Sequence, residues 1–223
     1  PAQPTAHAAG LRRAGRPGPA AVTTCWNHNT AYHPWILSAV AERPRARVLD
    51  VGCGDGLLLE KLTPYAGELV GLEPDTETAR RASDRLAGLP HARVLTESFT
   101  DHIPEQPYDV IVFVASLHHM DLAPTLIKTR DLLSPDGELI VVGLSANRRL
   151  GDWLVSALQV VPARVLSLLH GETRDTGMTV APPRESLAEI RATARALLPG
   201  VRIRRGLYYR YLLRWRTPTA AAR

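Results

Sequence analysis

A chain of 223 residues can enclose one hydrophobic core with a modest embellishment and is crowded for two. Its 27 Lys and Arg outnumber its 22 Asp and Glu, a formal charge of +5, yet Lys61 and Lys128 are the only lysines; with much Ala, Pro and Leu, this is the arginine bias of GC-rich coding and not a nucleic-acid footprint. Cys25 and Cys53 are too few for a disulfide framework or a zinc site, and no run of about 18 apolar residues is present to span a bilayer, so a cytoplasmic protein without metal or membrane partner is expected.

Residues 1–22, rich in Pro, Ala and Gly without an apolar stretch, are expected to form a flexible leader, and 23–223 a single domain. The segment Asn27-His28-Asn29-Thr30-Ala31-Tyr32-His33-Pro34 crowds polar and aromatic side chains together. It suits a lip over a binding site, and equally a plain helix entry with Pro34 in the first turn. From Arg47 onward, apolar runs of strand length alternate with helical patterns, as βα units of a parallel sheet do. The first strand, 47–51, leads through a glycine turn into a helix over 57–62. The second, 69–72, ends at Glu73, and Asp75 is placed to cap a helix running to Leu86. A short third strand covers 93–95. The fourth, 108–114, is apolar and β-branched on both faces, as a central buried strand should be. Asp121 is placed to cap a helix carrying Leu122, Leu126, Thr129 and Leu133, after which Ser134-Pro135-Asp136-Gly137 turns the chain into a fifth strand, 138–144.

The stretch 145–182 is longer than a connection requires, and such length usually serves function. Its two apolar helical segments, broken at Pro162, suit a helical lid roofing a pocket for a hydrophobic acceptor, or packing against the sheet or a second subunit. Pro183 and Ser186 then precede a helix with Leu187, Ile190, Ala194 and Leu197 on one stripe, closed by Pro199-Gly200. Two strands finish the chain, 201–205 and 207–216. In the last, Leu207, Tyr209, Tyr211, Leu213 and Trp215 share a core face, while Arg210, Arg214 and Arg216 share a face expected to be the solvated side of an edge strand.

A glycine loop between strand and helix lets the backbone approach a ligand and presents free N–H groups. Here the spacing is Gly52-x-Gly54-x-Gly56, with Leu57 where a dinucleotide fingerprint wants its third glycine. With no pyrophosphate to cradle, Asp50 suits a positively charged ligand such as the ammonium of a methionine moiety. Glu73, about twenty residues beyond the loop, stands where such folds place a carboxylate for a ribose diol. Glu97, after the third strand, is placed to accept from an adenine amino group, with the Ser98 and Phe99 backbone beside it, or else is a solvated loop acid. His118 and His119 follow the fourth strand at the edge of the crevice. Either suits a general base for an acceptor that must lose a proton; a packing role suits both equally.

The run Val48-Leu49-Asp50-Val51-Gly52-Cys53-Gly54-Asp55-Gly56 resembles motif I of the class I S-adenosylmethionine (SAM)-dependent methyltransferases. Glu73-Pro74 looks like the family's ribose acid, 108–113 like its motif before the active site, and 132–142 like its "LxPGG" strand with Asp136 replacing one glycine. The resemblance is close over about residues 30–145. It implies an α/β, Rossmann-like doubly wound sheet of seven strands with the last antiparallel, and SAM across the carboxyl ends of the first strands. On that implication Asp50, Gly52, Cys53, Gly54, Glu73 and Pro74 hold the methionine and ribose, with the Cys53 side chain a small filler. Glu97, Ser98, Phe99 and Val114 border the adenine, Tyr32 helps close the pocket, and S-adenosylhomocysteine (SAH) is the product. One departure is that the adenine acid is usually Asp, where this chain has the longer Glu97.

Basic residues interleaved with aromatics around the crevice are lacking, and Ala115-Ser116-Leu117-His118 stands where an Asn-Pro-Pro-Tyr-like motif for a flipped base would be. The acceptor is therefore expected to be a small, partly apolar molecule, a bacterial secondary metabolite for instance, and the protein a monomer or homodimer. Two alternatives stay open: a SAM-binding cyclase or isomerase that transfers no methyl, and a nicotinamide-dependent reductase.

Overall fold

The structure, a computed structural model, describes residues 29–146, 182–206 and 210–218. The leader, Cys25, Asn27, His28, nearly all of the 145–182 lid and Leu207 to Tyr209 lie outside the described residues. Among the described residues five α-helices are seen: α1 (His33–Ala41), α2 (Leu57–Leu62), α3 (Thr76–Arg85), α4 (Leu122–Leu132) and α5 (Leu187–Leu197). Seven strands accompany them: β1 (Ala46–Val51), β2 (Ala66–Leu72), β3 (Ala92–Leu95), β4 (Tyr108–Val114), β5 (Leu133–Leu144), β6 (Arg202–Arg205) and β7 (Arg210–Arg216).

The strands form one sheet in the order β3-β2-β1-β4-β5-β7-β6. Neighbours from β3 through β5 are parallel, and β7 runs antiparallel to both β5 and β6, as the seven-stranded expectation had it. Each strand alternates its side chains between two apolar layers. Leu49, Val51, Ile111, Phe113, Leu139 and Val141 face Leu126 of α4 and Leu187 and Ile190 of α5. Val48, Val110, Val112, Ile140 and Val142 face Ile36 and Val40 of α1, Leu59 and Leu62 of α2 and Ala82 of α3. With helices on both faces the central strands need apolar residues on both sides, which is why β4, past Asp109 at its start, reads Val-Ile-Val-Phe-Val. β1 lies between β2 and β4, so chain connections leave it toward opposite sides and a crevice opens at the carboxyl ends of β1 and β4.

Local signals set the helix boundaries. Asp75 caps α3, its Oδ1 accepting the Thr78 N–H at 2.8 Å. Ser186 and Glu189 form a reciprocal capping box at α5, where losing the Ser hydroxyl would cost about 1 kcal/mol. Asp121 departs from expectation. It occupies the N-cap of α4 but its side chain makes no cap bond, its carboxylate lying 3.8 Å from Arg184 instead. β5 begins at Leu133, ahead of the expected 138, because Leu133 pairs with Tyr108 before the 134–137 turn. Within that turn Asp136 takes φ 61°, a left-handed conformation glycine adopts without strain and Asp tolerates better than most residues.

The arginine face of the last strand is a correction. β7 is not an edge: β6 lies outside it, and α1 covers the face that Arg210, Arg214 and Leu212 share. Leu212 is buried there, and Arg214 reaches inward to Glu138, which is fully buried. Arg214 also donates to Glu42 at 2.8 Å, Arg216 to Glu42 at 3.0 Å, and Arg43 approaches Glu138 at 3.5 Å. Two of the arginines expected in water, Arg214 and Arg216, thus join Arg43 in a charge network under the carboxyl end of α1. No helix among the described residues is long and apolar enough to cross a membrane.

Candidate functional site

Where β1 ends, the chain must turn sharply to start α2, and the loop is built for close approach. Gly52 has φ 71°, and a Cβ added to it would sit 2.7 Å from the Cβ of Ser116, so the loops after β1 and β4 meet only because this residue has no side chain. The N–H groups of Gly52 and Cys53 both donate to the Leu72 carbonyl, at 2.9 and 3.0 Å. Gly54 donates to Glu73 Oε2 at 3.1 Å, while Oε1 of the same carboxylate accepts from Asp75 N–H at 3.1 Å. Glu73 therefore ties the glycine loop to the start of α3. Asp55 is gripped from α3 as well, its Oδ2 2.7 Å from Arg85 Nη2 and its carbonyl accepting from Arg85 Nε.

A cavity of about 570 Å³ opens over these strand ends. Gly52 and Val51 border it from β1, Glu73 and Pro74 from β2, Glu97, Ser98 and Phe99 after β3, and Val114 and His119 from β4 and the turn beyond it. Phe99 is an apolar wall, buried and set edge-on to Phe113 with ring centroids 5.4 Å apart. Eight of the residues expected from the sequence thus meet around one space: Gly52, Glu73, Pro74, Glu97, Ser98, Phe99, Val114 and His119. The other five do not line it. Gly54 touches it through its bond to Glu73, and the Cys53 thiol is buried against Gly71, where burial pushes it well above the usual thiol range. Tyr32 packs against the apolar layer beneath α1, with its hydroxyl beside Gly206. His118 is buried, and its ring lies 4.1 Å from that of His119, centroid to centroid.

The fifth is Asp50. It is 2 % exposed, and its Oδ1 has no hydrogen-bond partner among the described residues. Burial, with the nearby Glu73 charge adding to it, raises its carboxyl to about 7. A buried carboxylate left this way is costly, and the group that would relieve it is a cation carrying N–H donors.

Several residues around the cavity carry no sequence signal. Ser116, Met120 and Thr78 line it; Asn29, from the polar segment expected as a lip, lines it too. Ala115 has φ 54°, an unusual conformation for alanine, at the point where β4 gives way to the histidine turn. Glu97 is not a free loop acid: His102 Nδ1 lies 2.6 Å from its Oε1, and His102 Nε2 lies 2.9 Å from the Tyr108 hydroxyl. His102 is 4 % exposed, and a lone histidine in an irregular loop has no periodicity by which it could have been singled out. Among the described residues no three His, Cys, Asp or Glu side chains gather as metal ligands would.

A family model described as a methyltransferase domain matches residues 49–139, the span holding β1 through most of β5. An uncharacterized methyltransferase of Mycobacterium tuberculosis is 34% identical over 195 residues, covering 86% of this chain and 98% of that one. A ubiquinone biosynthesis O-methyltransferase of Bradyrhizobium diazoefficiens is 29% identical over 141 residues, 61% of this chain and 53% of that one. Among solved structures, an N-methyltransferase of Bradyrhizobium japonicum in complex with SAH superimposes with a TM-score of 0.59 at 16% identity, over 86% of this chain and 89% of that one. A SAM-bound amino pentose methyltransferase of Micromonospora echinaspora gives 0.59 at 14% identity, over 85% and 92%. At such identities these two structures attest the fold.

Proposed function

The chain belongs to the class I SAM-dependent methyltransferases, and from that membership we propose that it methylates a small-molecule acceptor held beside the carboxyl end of β4. The observation that carries this is the pairing of an orphaned buried carboxylate, Asp50, with a 570 Å³ cavity walled by Gly52, Glu73 and Glu97. These residues fit the cofactor. Asp50 suits the methionine ammonium, Glu73 the ribose hydroxyls, and the close backbone approach at Gly52 leaves room for the chain between them. Glu97, steadied by His102, suits the adenine amino group, and Phe99 its face. When bound, the cofactor supplies an activated methyl on a sulfonium, so the protein's part is to orient the acceptor and exclude water.

The two histidines divide on exposure. His119 lines the cavity and is the one able to touch an acceptor and take its proton; His118, buried behind it, positions the ring of its neighbour. That the curated relatives include an O-methyltransferase of ubiquinone biosynthesis and the solved neighbours an amino pentose methyltransferase supports a small acceptor over a nucleic acid. The test incubates the protein with SAM and a panel of phenolic and amino-sugar acceptors and follows SAH. Methylated product with stoichiometric SAH is expected, and His119→Ala should lower turnover at least tenfold while sparing SAH affinity. Conversion of an acceptor without SAH would contradict methyl transfer and favour a non-methylating enzyme on this fold.

A further inference from the structure

The arginines of β7 have unlike surroundings. Arg214 and Arg216 each reach Glu42 and Glu138. Arg210, on the same face and nearest the carboxyl edge, where it stands opposite Leu144 of β5, has no such partner. Its Nη2 donates to Asn29 Oδ1, but Nε and Nη1 are both buried and have no hydrogen-bond partner among the described residues. Among the described residues no carboxylate bears on it. Burial lowers the guanidinium to about 10, the Tyr32 phenol being the group that acts in the other direction. A guanidinium out of water, with unused N–H groups and no counter-charge among the described residues, is the complement of an anion.

Its place says where that anion would come from. Asn29, which accepts from Nη2, also lines the cavity, so a ligand oxygen displacing that amide would join the guanidinium to the cavity. In the sheet β5 lies beside β4 and β7 beside β5, so Arg210 sits on the far side of β4 from the glycine loop and Glu73. We propose that Arg210 is an anion-binding residue of this crevice, pairing with a carboxylate on a bound ligand. The inference rests on the methyltransferase assignment, since the carboxylate would belong to the methionine end of the cofactor or to the acceptor. In either position the pair would be shielded from water, where a charge-assisted hydrogen bond is strongest.

Calorimetry with the whole chain separates the sources. SAH is compared with S-adenosyl-3-thiopropylamine, the same nucleoside without its carboxylate, in the wild type, Arg210→Met and Arg210→Lys. If the cofactor supplies the anion, the wild type prefers SAH at least tenfold, Arg210→Met erases the preference, and Arg210→Lys retains part of it. If the acceptor supplies it, SAH affinity is indifferent to position 210, while benzoate titrated into the SAH-saturated wild type binds and shifts the Arg210 Nε–H resonance; that binding disappears in Arg210→Met and is partly kept by Arg210→Lys. The resonance shift is read in the wild type, so it does not depend on how well a variant folds. SAH binding that ignores position 210, with no benzoate response at Arg210, overturns the inference alone. A wild type that binds no SAH removes the assignment beneath it as well.

Discussion

Asp50 and His33 are buried titratable groups whose protonation opposes one another. The Asp50 carboxyl, raised by burial and by Glu73 from 3.8 to about 7, is more protonated in the fold than in the unfolded chain throughout that window, so its contribution falls as pH rises through it. Asp50→Asn should therefore raise the denaturation midpoint at pH 8, by roughly 1 to 3 kcal/mol of stability. On the proposed assignment the same substitution should weaken SAH binding by about tenfold or more, because the ammonium would lose its charged partner. An Asn variant no more stable than the wild type at pH 8 would show that the carboxylate is already compensated. A cationic ligand would pull the carboxyl back down, so SAH binding near pH 6.5 should release a proton. Calorimetry in buffers of different ionisation enthalpy measures that release, and a zero slope would contradict it.

His33 behaves in the opposite sense. Burial, then the Lys61 charge beside it, lowers its ring from 6.5 to about 4. Between those values the unfolded chain binds the proton and the fold does not, so stability is complete above pH 6.5 and is lost as pH falls toward 4. The loss approaches about 3 kcal/mol, at 1.36 kcal/mol per pH unit. Urea midpoints measured from pH 7 to 4.5 should fall less steeply in His33→Gln than in the wild type. Equal slopes would place the titration elsewhere.

The element that most affects the account is β7. Its insertion between β5 and β6 turns Glu138 into a fully buried carboxylate bracketed by Arg214, Arg216 and Arg43. Arg214→Ala would leave that charge short of its best partner. It should cost about 3 kcal/mol, whereas Glu138→Gln with Arg214→Met, removing both charges, should cost less than the sum of the two. Additive losses in urea denaturation would mean that the network does not act as a unit. Elements whose signal is local were legible in the sequence. α2 between Gly56 and Thr63, the apolar run of β4, and α5 behind Ser186 all stand where periodicity and caps put them. What depends on pairing between distant residues was not. The backward extension of β5 to Leu133 is set by Tyr108, and the burial of Leu212 is set by α1, far off in the chain. The site divides similarly. Glycine spacing and strand-end acids announce Gly52 and Glu73, while Ser116, His102 and Arg210 are brought in by loop geometry and strand order.

At the scale of the molecule, the order β3-β2-β1-β4-β5-β7-β6 gathers the ends of β1, β2, β3 and β4 along one edge. The groups proposed for the cofactor come from the ends of β1, β2 and β3 on that edge, so the site exists only once the parallel sheet has assembled. In the proposed arrangement the acceptor lies beside the carboxyl end of β4, where His119 follows β4 and Arg210 stands two strands away on β7. Such a layout allows one cofactor cradle to serve different acceptors by changing only the far side. The most direct test is a crystal structure of the protein grown with SAH. Density for the nucleoside is expected between Gly52 and Glu97, its ribose hydroxyls on Glu73 and its ammonium toward Asp50. A ligand bound on another surface while that cavity stays empty would contradict the account.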